Sequence, residues 1–180
     1  MRLMVFMCVA ILSSSSFASG SGSSNDTEYK LKAAYLYQFT KFTRWPKHRF
    51  NKPDSPIRIC ILGTNPFGTS LDSFSSRASQ GRVLSIKYLL SLHDILNCHV
   101  VFISRSENKR LTKILQHIEN TAVLSVSDID HFAQRGGIIG FVPRQKKVGL
   151  EINVAASHTS GTKISSKLLE VATLIRQEMP

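Results

Sequence analysis

Several residue patterns in this chain suggest chemistry, and each lacks a component that the chemistry needs. Ser160 and Lys163 form an S-x-x-K, which can set an amine beside a nucleophilic hydroxyl, but the SDN and KTG partners of that arrangement are missing. Gly63 to Gly68 has the GxxxxG outline of a phosphate-binding loop. Thr69 and Ser70 then stand where Lys and Ser or Thr are required, so the ammonium that grips phosphate is lacking. A GxGxxG dinucleotide fingerprint is absent. The six histidines, His48, His93, His99, His117, His131 and His158, show no HExxH or paired-ligand spacing. The densest ligand-like run is Asp128-x-Asp130-His131, where capping and the helix dipole account for Asp128 after Ser127 at an expected helix start. A receiver-type phosphoacceptor wants an acid at a strand end, and the expected ends here offer Gly63 and Ser104-Arg105. The expectation is a non-enzyme with no catalytic residues, metal or cofactor; a hydrolase using Ser160 or a histidine is the weakest competing reading.

The elements that must position any site begin with a helix over Asp26 to about Arg44, capped by Asn25 or Asp26. Leu31, Tyr35, Phe39 and Phe42 make one apolar stripe, while Ala33, Leu36 and Tyr37 occupy much of the opposite side. Such a helix is either sandwiched in the fold or covered by another protein. Strands are expected at Ile57–Leu62, Val83–Leu89, Cys98–Ser104 and Ala122–Val126. Helices are expected from Pro66 to about Phe74, over Glu107–Ile118, and over Asp128–Gln134 with a stop at Gly136-Gly137. Ile138–Val142 and Val148–Val154 read as a hairpin, followed by a final helix from Ser165 or Ser166 to about Gln177. This alternation gives an α/β class: a single domain, its mostly parallel sheet covered by helices on both faces, with a C-terminal β-hairpin plus helix.

Residues 1–18 follow the pattern of a signal peptide, with Arg2, an apolar run from Leu3 to Leu12 and small residues ending at Ala18. The run is about ten residues, half of the roughly 20 that span a bilayer core. Residues 19–25 are a Ser/Gly-rich flexible spacer, and 26–180 form the domain. Export leaves Cys60 and Cys98, an even number where disulfides persist, and they are expected to pair; two buried thiols are the alternative. Without Arg2 the chain has 22 basic and 12 acidic residues, a net charge of +10. Nucleic acid is a poor partner for an exported protein without a nucleic-acid-binding motif. One basic cluster, Lys41, Arg44, Lys47, His48, Arg49 and Lys52 around Trp45-Pro46, is either a solvated loop or a surface for an acidic partner or lipid headgroups.

Five segments carry a family resemblance: EYKLKAAYLYQFTKFTRWP (28–46), ICILGTNPFG (59–68), CHVVFIS (98–104), VLSVSDIDHFAQRGGIIGFV (123–142) and EINVAASHTSGTKISSKLLEVA (151–172). Together they resemble the YfiR family of periplasmic regulators. The resemblance implies a periplasmic, often dimeric protein that represses a membrane diguanylate cyclase through its periplasmic part, lowering cyclic di-GMP and biofilm formation. It also implies relief by an outer-membrane lipoprotein that sequesters the repressor. Departures are Gly149-Leu150, where relatives tend to carry Arg-Phe, Ser157-His158-Thr159 in place of a stretch richer in Ala and Arg, and the absence of a second cysteine pair.

The candidate partner surface comprises Tyr37, Phe42, Arg44, Trp45, Glu151, Asn153, Lys163 and Ser166. Glu151 and Asn153 share one strand face by period-two alternation, and Lys163 and Ser165 precede a helix start. Either these residues converge on a polar pocket, or Asn153 and Ser165 satisfy backbone groups at the junction while Glu151 pairs with a Lys. A periplasmic sensor that binds a small ligand in a crevice at the strand ends is the competing functional reading.

Overall fold

In the computed structural model, residues 22–145 and 147–175 are described. The elements run α1 (Gly22–Phe42), β1 (Thr43–Arg44), β2 (Ile57–Leu62), β3 (Ala78–Ser79), β4 (Arg82–Leu89), β5 (Val100–Ile103), α2 (Leu111–His117), β6 (Leu124–Ser127), β7 (Ile139–Arg144), β8 (Lys147–Asn153), α3 (Val154–Ser160), β9 (Lys163–Ile164), α4 (Ser166–Leu169) and β10 (Thr173–Ile175). The expected signal peptide lies outside the described residues.

Eight strands form one sheet in the order β10-β8-β7-β6-β5-β2-β4-β3. β4, β2, β5, β6 and β7 are mutually parallel, and their order of appearance is the 2-1-3-4-5 of one class of doubly wound sheet. β7 and β8 make the expected hairpin, with Ile139 opposite Ile152 and Arg144 opposite Lys147. The near-continuous apolar runs of β2 and β5 follow from burial on both faces. Ile57, Ile59, Ile61, Phe102 and Val126 pack with Ala33, Leu36 and Phe39 of α1, whereas Cys60, Leu62, Val101 and Ile103 pack with Leu111, Ile114 and Phe132 on the other side. The apolar face of α1 is therefore buried largely within the monomer, although Leu31 of the expected stripe remains 44% exposed. Neighbouring β2 and β5 bring Cys60 and Cys98 into a disulfide.

Several boundaries differ from the sequence reading. α1 starts at Gly22, so Asp26 is not its cap but an ion-pair partner of Lys30 within it. Segment 64–74 is turns with a 3-10 turn at Asp72–Phe74: the Asn65 side chain accepts from Phe67 N–H and donates to Gly68 O, a local alternative to helix. Segment 128–134 is also non-helical. Ser127 Oγ takes the Ile129 N–H, and His131 adopts φ 58°, a left-handed conformation that interrupts helical bonding. Asp128 is therefore no helix cap. Five elements were not anticipated: the short strands β1, β3 and β9, the helix α3 and the strand β10. Asn153 caps the unexpected α3 by accepting Ala156 N–H, and Gly161 ends it at φ 84°. The expected C-terminal helix stops at Leu169, and Thr173–Ile175 instead add β10 to β8; residues 176–177 of that expectation lie outside the described residues.

Candidate functional site

Beyond the main sheet, β1 and β9 pair as a two-stranded antiparallel ribbon, with Thr43 opposite Ile164 and Arg44 opposite Lys163. The Ser165 N–H donates to Phe42 O at 2.8 Å, and Gln80 Nε2 donates to the carbonyls of Thr40 and Thr43, so the end of α1 is anchored from two sides. The ribbon thereby gathers Phe42, Arg44, Lys163 and Ser166 from the two ends of the chain. Arg44, Lys163 and Ser166 are exposed, and neither cation has an ion-pair partner among the described residues. Like charges directly opposite across strands are unfavourable, so the fold tolerates here an arrangement that an anionic partner would relieve. A cavity of about 220 Å³ adjoins Lys163, lined by Val154, Ser157, His158, Ile164 and Leu169.

The other expected surface residues go elsewhere. Tyr37 is half-buried, donates its OH to Ala78 O, and lies under Lys41 Nζ at 4.2 Å from its ring centre. Glu151 is half-buried and accepts from Gln134 Nε2 at 2.8 Å, rather than meeting a lysine. Asn153 is fully buried, donating to Ala133 O besides capping α3, so its side chain belongs to the interior junction and not to an outer surface. Ser160 of the S-x-x-K is buried with its Oγ bonded to Ser157 O, while Lys163 points out from the ribbon. Among the described residues, no group of three His, Cys, Asp or Glu side chains is placed to hold a metal ion.

Trp45 secures the basic loop to the disulfide segment. Its Nε1 donates to His99 O at 3.1 Å, and Arg49 donates to the carbonyls of Leu96 and Cys98. The loop is thus docked rather than freely solvated, although Lys47, His48 and Lys52 are exposed. His99 sits beneath it, 1% exposed, stacked on Phe50 at 4.6 Å, with Nδ1 accepting the Arg58 N–H. Burial, reinforced by the Arg49 and Arg58 charges, lowers its pKa to about 4. The folded-state value is below the ordinary 6.5, so as pH falls the unfolded chain takes up the proton first. Stability from this group is complete above pH 6.5 and is lost between 6.5 and 4, by about 2–3 kcal/mol. Denaturant midpoints across that range should fall with pH in the native protein and fall less in His99→Gln, which keeps an acceptor for Arg58. Equal slopes would contradict this assignment.

Sequence reasoning missed a buried charge cluster at the carboxyl ends of the parallel strands. Asp128, just past β6 and 2% exposed, accepts from Tyr29 OH and Lys32 Nζ, both at 2.7 Å, while Arg105 Nε lies 3.5 Å from Oδ1. Lys32 also pairs with Glu28 at 2.6 Å. Burial and the bond to Asp128 raise the Tyr29 pKa, keeping it a donor. The available signal was Lys32 itself, a cation whose neighbours at three- and four-residue spacing on the helix include Tyr29, Tyr35 and Leu36.

The fold and this surface define a class of protein: a single doubly wound α/β domain presenting, on a ribbon outside its main sheet, two exposed cations without ion-pair partners among the described residues. The family model described as YfiR/HmsC-like matches residues 29–173, and the chain belongs to that family. No curated protein matches the chain significantly. Similar solved structures include one described as the ABC domain in complex with L-Trp from Streptococcus pneumonia, 12% identical with a TM-score of 0.48 over 66% of this chain and 55% of that one. The chain therefore spans about half the length of that structure. Among the described residues, no helix is long and apolar enough to cross a membrane.

Proposed function

We propose that this chain is a periplasmic negative regulator that binds the periplasmic part of an inner-membrane diguanylate cyclase, lowering cyclic di-GMP and biofilm formation. Membership of the YfiR/HmsC-like family supports regulation of cyclase signalling, and residues 1–18 supply the export signal that this location requires. The observation that carries the binding reading is the exposed Arg44–Lys163 pair, two cations held opposite each other on the ribbon. An acidic segment of the cyclase's periplasmic part is the complementary partner. The same reading includes a homodimer as the working unit and an outer-membrane lipoprotein that competes for the repressor.

The test is turnover of GTP by the host's cyclase reconstituted in liposomes with its periplasmic part accessible. Adding the disulfide-bonded protein should reduce synthesis of cyclic di-GMP. The Arg44→Glu/Lys163→Glu variant should need roughly tenfold more protein for the same effect. Turnover that is insensitive to saturating protein would contradict the proposal.

A further inference from the structure

A crevice of about 480 Å³ opens between α1 and the β7–β8 hairpin, at the carboxyl ends of β5, β6 and β7. It lies outside the carboxyl ends of parallel strands, the side on which open α/β sheets hold ligands, although the switch point itself is between β2 and β5; its volume lies within the range of small-molecule sites. One wall is apolar: Leu31, Tyr35, Phe141, Val142, Pro143 and Val148. The polar wall holds Asp128, Lys32, Glu28, Arg105 and Lys147. Lys32 is committed to Asp128 and Glu28. Arg105 is 60% exposed and only loosely engaged, its Nε 3.5 Å from Asp128 Oδ1. Lys147 is exposed at the rim and forms no ion pair among the described residues.

Asp128 also lines the crevice, and Arg105 Nε stands 3.5 Å from its Oδ1. That oxygen is buried with no hydrogen-bond partner, although Oδ2 of the same carboxylate has two. A buried acceptor left unmade is costly, and such a group marks a place where a donor is missing. The crevice thus offers an apolar slot, two under-used cations and one acceptor that Arg105 meets only as an ion pair at 3.5 Å.

We infer that this crevice binds a small amphipathic organic carboxylate: an aromatic or branched apolar body on the Leu31–Tyr35–Phe141 wall, its carboxylate between Arg105 and Lys147, and an adjacent hydroxyl donating to Asp128 Oδ1. The ligand links α1 to the β7–β8 hairpin, so its occupancy stiffens the helix that leads into the Arg44 ribbon. This site is separate from the ribbon and does not depend on the cyclase reading.

Calorimetric titration of the exported, disulfide-bonded protein with 3-phenyllactate tests the inference, with lactate supplying the head without the body and phenethylamine supplying the body with the opposite charge. Binding of 3-phenyllactate at millimolar concentration or below is expected, with lactate and phenethylamine both much weaker. Lys147→Ala, a surface change that leaves the core untouched, and Arg105→Gln should each weaken binding about tenfold, the value of one charge-assisted hydrogen bond. No heat with 3-phenyllactate, equal or tighter binding of phenethylamine, or affinity unchanged in both variants would overturn the assignment.

Discussion

Reduction of the Cys60–Cys98 disulfide, or its replacement by Cys60→Ala/Cys98→Ala, should cost about 4 kcal/mol of stability. The bridge links residues 38 apart in sequence, and the chain-entropy model values the closure of a loop of that length at about 4 kcal/mol. That is a large share of the 5–15 kcal/mol that stabilises a typical domain. The bridge also fixes Cys98 where Arg49 and, through His99 O, Trp45 hold the basic loop. Urea unfolding with and without reductant would measure the loss, and Trp45 fluorescence would report release of the loop in the same titration. A midpoint unmoved by reductant, once thiol titration has shown two free thiols, would contradict this account.

Asp128→Ala should destabilise by about 3–5 kcal/mol, because removing the buried partner of an ion pair leaves the buried Lys32 with only a half-exposed anion. Lys32 has a side-chain exposure of 3%, and its remaining anion, Glu28, is half solvent-exposed at 48%. Tyr29 would lose its acceptor as well. Pairing Lys32→Met with Asp128→Asn removes both charges and keeps an acceptor for Tyr29, so the double variant should recover most of the loss. Denaturant midpoints of the single and double variants provide the cycle. A double variant as unstable as Asp128→Ala would show that the cluster acts through something other than its charges.

The parts of the fold that local patterns encode were legible in the sequence. Ile57–Leu62 and Cys98–Ser104 are short apolar runs, and their neighbouring places in a doubly wound sheet made the cysteine pairing readable. The hairpin followed from two β-prone segments around a polar turn. What was not legible depended on contacts distant in sequence. Asp128 looked like a cap because its neighbours supply a plausible helix start; its actual partner, Lys32, lies 96 residues away. Thr173–Ile175 became a strand because β8 offers an open edge, a condition no local period records. The α3 helix did leave a signal, Asn153 at its start and Gly161 at its end, but seven small and polar residues between them carry little apolar periodicity.

For the candidate surface, the residue types were chosen from the sequence, whereas their grouping depends on pairing. Arg44 and Lys163 meet because β1 and β9 form a ribbon too short for any strand signal. Asn153 was selected for polarity at a junction, and its two backbone bonds explain that polarity without a partner.

Cyclic di-GMP measured in the host without this gene, complemented by the native form, the Arg44→Glu/Lys163→Glu form or a form lacking residues 1–18, tests the central claim most directly. Deletion should raise cyclic di-GMP; the native, exported form should lower it again, the Arg44→Glu/Lys163→Glu form should do so only weakly, and the form lacking residues 1–18 should not. An unchanged level on deletion while the cyclase is expressed, or full rescue by the form lacking residues 1–18, would contradict it.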